Sequence, residues 1–102
     1  MPERQGGIGV VDKQDTSIGR PRMWRVVFAN DDFTPMDFVV MVLMLVFHHP
    51  AAQANSIMLD VHTKGKGVAG TYTREVAETK AAQTLDLADK HAHPLGVMIE
   101  PE

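Results

Sequence analysis

Three residues in a row, Asn30, Asp31 and Asp32, are the first place in the chain where residue type and spacing suggest chemistry. An amide oxygen and two carboxylates are all hydrogen-bond acceptors, so together they suit a small cation. Apolar residues follow at once, with Phe33 and then the run from Phe38 to Phe47, so such a cation would rest beside a greasy surface. The plainer alternative is a strand-to-helix turn, since Asn and Asp tolerate turn backbone and bond their own main chain. Adjacent carboxylates make a poor acid/base pair, because such pairs must flank the reacting bond. The pairs His48-His49 and His91-x-His93, with no Cys in the chain, fall short of a zinc pattern, and no metal is expected. The KGKG run from Lys64 to Gly67 lacks the long glycine-rich loop and following Lys-Ser/Thr of a phosphate loop. Without cysteine there is no disulfide framework and no thiol nucleophile.

The elements that must position these residues are legible on both sides. Met23 to Phe28 is apolar and β-branched enough for a strand. The helix entry behind the turn carries several local signals. Thr34 suits an N-cap, Pro35 the first helical position, and Asp37 the third, where its charge meets the positive helix end. Phe33 and Phe38 occupy the two positions of a hydrophobic staple. The helix runs to about Phe47, apolar almost all round, so it is buried on more than one side or waits for a ligand. His48-His49-Pro50 breaks it, and Pro50 opens a second helix whose inward stripe is Ala54, Ile57 or Met58, and Val61. Gly65 stops that helix. A strand from Gly67 to Tyr72 follows, then a helix from Arg74 to about His91 capped by Thr73. Its narrow face is Ala77, Ala81, Leu85, Ala88 and Ala92. A last strand covers Leu95 to Glu100. The expected fold is α+β in the order β-α-α-β-α-β, with a three-stranded antiparallel sheet carrying three helices on one face.

At 102 residues and 44% apolar content the chain builds one modest core. Residues 1–20 show no periodicity and read as a mobile tail before a core domain of residues 21–102. A net charge of −3 gives no support for nucleic-acid binding. The apolar run from Phe38 to Phe47 is about half of a membrane span, and no export signal opens the chain, so a cytoplasmic protein is expected.

The run NDDFTPMDFV resembles the signature of the ClpS family, the adaptors that hand N-degron proteins to a bacterial Clp unfoldase. MLDVHTKGKG (Met58 to Gly67), REVAETK (Arg74 to Lys80) and HPL (His93 to Leu95) match in the family's order, so the resemblance spans Trp24 to about Glu100. It implies a non-enzymatic adaptor without cofactors. Asn30, Asp32 and His62 would bind the substrate's free α-amino group, with Asp31 holding the peptide backbone or the turn. Met36, Val39, Met58, Val61 and Leu95 would line the socket for a first side chain of Leu, Phe, Tyr or Trp, with Thr34 and Pro35 as further peptide contacts. Glu75 and Lys80 would dock on the N-terminal domain of the Clp AAA+ unfoldase, and the tail would serve delivery. A monomer with no nucleic-acid or membrane partner is expected. A bystander of the same fold, binding the unfoldase and modulating its substrate choice through a vestigial pocket, is the alternative. A hydrolase built on Asp31, Asp32 and His62 would lack a nucleophile. The sequence departs from the family pattern at Phe33, in the more apolar first helix (Met41, Met44, Leu45) and at Asp60.

Overall fold

The strand β2 (Met23–Ala29) sends Trp24, Val26 and Phe28 into the core, with Val27 buried as well beside an irregularity in its register with β3, and it organises the sheet. In the computed structural model, which describes residues 8–10 and 21–102, β2 lies between two antiparallel neighbours, β3 (Lys66–Thr73) and β4 (Gly96–Pro101). The predicted three-stranded antiparallel sheet is therefore present. A two-residue strand, β1 (Gly9–Val10), adds to it in parallel on β4, giving the order β1-β4-β2-β3. That strand and Ile8, which packs against the core, fall inside the stretch read as a tail; residues 1–7 and 11–20 lie outside the described residues.

Three helices supply the second layer: α1 (Met36–Leu45), α2 (Ala51–Lys64) and α3 (Arg74–Lys90). Helix α3 crosses all three long strands, and α1 packs against α2. Close approach of α3 follows from its small buried face, Ala77, Ala81, Thr84, Leu85 and Ala88. Thr84 is buried without penalty because its hydroxyl donates to Lys80 O at 2.9 Å. Ala92 does not belong to this face. The helix ends at Lys90, and Ala92 sits exposed in the left-handed region with φ 56°. On α2 the open choice resolves to Ile57, buried with Ala54 and Val61, while Met58 is only half-buried.

Helix ends show where local signals were overruled. Pro35, with φ −64° and ψ 145°, is the capping residue of α1, one position later than expected for the cap. Thr34 makes no cap bond, and the Phe33–Phe38 staple does not form: Phe38 is buried, whereas Phe33 is 77% exposed. Thr73 does sit at the α3 cap, again without a side-chain bond. Gly65 closes α2 as expected, at φ 87°. The last turn of α1 has no basic residue of its own. Lys80 of α3 supplies the charge instead, donating from Nζ to Val46 O at 2.8 Å and lying over the rings of Phe47 and Tyr72.

Candidate functional site

The NDD turn is shaped by Asp31. Its Oδ2 accepts from the backbone N–H of Phe33 and of Thr34, both at 2.9 Å, which is an Asx-type turn. Burial pushes the Asp31 carboxyl up. The Thr34 side chain, the two backbone donors and the nearby His93 outweigh that and hold it below the ordinary carboxylate value. The Thr34 hydroxyl approaches this carboxylate without completing a hydrogen bond. Thr34 Oγ1 and Asp31 Oδ1 are both buried and unpaired in protein contacts.

One backbone bond brings the turn and α2 together. Asn30 N donates to Gly65 O at 2.9 Å, and Gly65 N donates back to Val61 O at 3.1 Å, so the C-terminal end of α2 lies against the start of the turn. Gly67 allows α2 to sit that low on β3. A Cβ there would stand 2.7 Å from Val61 Cγ2, 3.1 Å from Ile57 O and 3.3 Å from Val61 N. This glycine matters to the site because it has no side chain, a role that nothing in its KGKG run signals.

Between the turn, the start of α1 and the end of α2 lies a cleft of about 240 Å³, counting its open mouth. Its lining comprises Asn30, Asp31 and Thr34 from the turn, Met36 and Val39 from α1, Met58, Val61 and His62 from α2, and Leu95 ahead of β4. Val39, Val61 and Leu95 are buried and make an apolar floor; Asn30 and His62 are exposed at the rim, and Met36 is 48% exposed. Nine residues singled out in the sequence thus share one cavity. Asp32 and Pro35 do not line it and are exposed on the flanking turn. Polar acceptors on a rim above an apolar floor can hold a group with a charged donor at one end and hydrocarbon at the other.

Glu75 and Lys80 lie away from the cleft, on α3, where they line an open groove with Val76, Thr79 and Gln83. Glu75 is exposed, but the Lys80 ammonium is already bonded to Val46. Asp60, a departure from the family pattern, pairs with Lys64 one turn on at 3.4 Å. The histidines weighed for zinc have other partners: His49 Nε2 donates to Ala69 O, and His91 Nδ1 to Leu87 O. Among the described residues no three His, Asp or Glu side chains cluster to hold a metal, and no helix is long and apolar enough to cross a membrane.

The family profile of the ATP-dependent Clp protease adaptor protein ClpS matches residues 19–98. The ATP-dependent Clp protease adapter protein ClpS of Deinococcus radiodurans is 50% identical over 101 residues, covering 99% of this chain and 88% of the relative. That of Hyphomonas neptunium is 54% identical over 83 residues, 81% of this chain and 70% of its own length. Among solved structures, Agrobacterium tumefaciens ClpS2 bound to L-phenylalaninamide superposes with a TM-score of 0.78 at 37% identity, covering 81% of this chain and all of the other. With the profile spanning the turn, the cleft and all three helices, the chain belongs to the ClpS family of ATP-dependent Clp protease adaptors, which are not catalysts.

Proposed function

We propose that the cleft captures the free N-terminus of a protein whose first residue is Leu, Phe, Tyr or Trp, for delivery to a Clp AAA+ unfoldase. The observation that carries this is the pairing of an apolar floor with two buried, unpaired polar atoms, Asp31 Oδ1 and Thr34 Oγ1, under a rim of acceptors. Buried polar groups without partners are costly, so they favour a ligand that supplies them. A peptide's main chain does, offering an N–H to Asp31 and a carbonyl to Thr34. Its α-ammonium has three donors, to be met by Asn30, Asp32 and His62. The ligand of the Agrobacterium relative has the same chemistry: a free amine, an aromatic side chain, and an amide in place of the next residue.

Burying a Leu or Phe side chain contributes roughly 1.5–3 kcal/mol, and each charge-assisted bond roughly 1.5–3 kcal/mol. Once association entropy is subtracted, affinity near micromolar is the expectation. Glu75 and Lys80 then mark the face that docks on the unfoldase's N-terminal domain, with residues 21–102 as the adaptor core acting as a cytoplasmic monomer. The test is a titration with peptides bearing Leu, Phe, Tyr, Trp, Ile or Val at the first position, each free and acetylated. Tight binding of free Leu, Phe, Tyr and Trp peptides, lost on acetylation, is expected. Absence of binding to all of them would leave a modulator with a non-working pocket.

A further inference from the structure

We infer that Phe33 selects the second side chain of the captured chain, favouring a large apolar or aromatic residue there. The inference rests on the reading of the cleft as an N-terminus socket and adds a contact outside it. Phe33 is 77% exposed, more than any other large apolar residue described. It takes no part in the core, and among the described residues its ring meets no aromatic partner. A side chain of that size left in water is stabilising only when something covers it.

Its backbone, by contrast, is tightly held. The Phe33 N–H donates to Asp31 Oδ2 at 2.9 Å, and the next residue, Thr34, is fixed by the same oxygen. Asp31 and Thr34 both line the cleft, and Phe33, on the same turn between them, is exposed and is not part of that lining. Met36, three residues on, adds the half-exposed flank of a thioether side chain to the same rim. A chain whose first side chain fills the cleft has its second Cα only about 3.8 Å further on. Asp31 Oδ1 and Thr34 Oγ1, the unpaired atoms of this turn, would hold that second residue over it by its main chain. The second side chain therefore leaves the cleft beside Phe33. A Leu, Met or Phe there gains apolar contact or an offset ring pair with Phe33, and a Gly gains nothing.

The experiment measures Kd for free-amine peptides with Leu first and Gly, Leu or Phe second, against wild type, Phe33→Ala and Phe33→Tyr. Wild type is expected to bind the Leu and Phe members about fivefold more tightly than the Gly member, the scale of a partly buried apolar contact. Phe33→Ala should shrink that ratio to within about twofold while leaving the Gly member's affinity unchanged, and Phe33→Tyr should restore the ratio. A flat series in wild type overturns the inference, as does a preference that survives Phe33→Ala. Equal weakening of every peptide by Phe33→Ala overturns it too, since Phe33 would then support the turn. An acetylated Leu-Phe peptide run alongside separates the two levels. If it binds like its free form, the socket reading fails; if the amine is required but the second position is flat, only the role of Phe33 fails.

Discussion

Gly67 tests whether the cleft depends on how closely α2 lies against the sheet. Replacing it with Ala puts a methyl 2.7 Å from Val61 Cγ2 and within 3.1 and 3.3 Å of two backbone atoms of α2, Ile57 O and Val61 N. Val61 cannot swing away cheaply, because a β-branched side chain in a helix has one strongly preferred rotamer. The backbone atoms can yield only if the end of α2 lifts by some tenths of an ångström. Overpacking of this kind costs about 1–3 kcal/mol, offset by about 0.4–1 kcal/mol from the less flexible unfolded chain. The net expectation is a loss of about 1–2 kcal/mol, and Tm falls by about 4–8 °C per kcal/mol in a domain of this size. Because Val61 and His62 are carried on the displaced turn, affinity for a Leu-first peptide should also drop, by about fivefold on the scale of one lost apolar contact. Gly65→Ala is the control. There the backbone is left-handed at φ 87° but nothing stands within 4 Å of the new Cβ. That change should cost about 1–2 kcal/mol of stability through backbone strain and spare most of the affinity. Thermal melts and peptide titration on both variants decide the matter. If Gly67→Ala keeps wild-type affinity, or Gly65→Ala loses as much, the close approach of α2 does not shape the site.

For the amine site, Asp32→Ala or His62→Ala should each weaken binding of a Leu-first peptide by at least about 2 kcal/mol, because a desolvated ammonium is left underpaired; calorimetry showing wild-type affinity removes that residue from the set. Met36, half-exposed on the rim, should exclude side chains branched at Cβ, so Met36→Ala should bind Ile- and Val-first peptides better relative to Leu, and an unchanged ratio returns Met36 to a packing role. Asp31 has its folded pKa lowered beneath an ordinary 3.8, so its ionised form adds stability above that value, and the contribution is lost as pH falls through the lower folded pKa. Asp31→Asn should therefore melt earlier than wild type at neutral pH, by about 1 kcal/mol for weakened charge-assisted bonds on a partly exposed group, with the gap closing in acid below pH 3.8; a gap that widens there refutes the assignment. Lys80→Met keeps the apolar stem but strips Val46 O of its donor, so it should cost about 1 kcal/mol in a urea melt before any partner is present, whereas a purely docking Lys80 would leave the melt untouched.

The element order was legible because the punctuation in the chain is strong. Pro35, Pro50, Gly65 and Pro94 sit at boundaries, the apolar and β-branched content of β2 marks a strand, and the alanine face of α3 carries its own period. Three things were not legible. Gly9–Val10 has too few residues to show a strand period, and its pairing with Met98 and Ile99 is a long-range event. The tie between Asn30 and Gly65 joins residues 35 positions apart through backbone atoms, which leave no mark on residue type. Lys80 reads as a solvated helix charge until α1 is seen to end beside it without a cation of its own. The residues of the cleft were found through the family motif. From composition alone, Met36, Val39 and Val61 are indistinguishable from core.

The misjudged helix entry has a physical cause that bears on the site. Thr34 and Phe33 were assigned local jobs, a cap and a staple, and neither performs them. Asp31 takes over the turn by accepting both early N–H groups, at the expense of leaving its second oxygen and the Thr34 hydroxyl buried without partners. A fold optimised only for stability would have paired them through a Thr34 cap, since a lost cap costs about 1 kcal/mol. Here the unsatisfied atoms belong to residues that line the cleft, and the exposed Phe33 is carried between them on the same turn. The missing cap and staple, two buried unpaired atoms and an exposed aromatic coincide on this one turn, which suits a surface that the proposed ligand would complete.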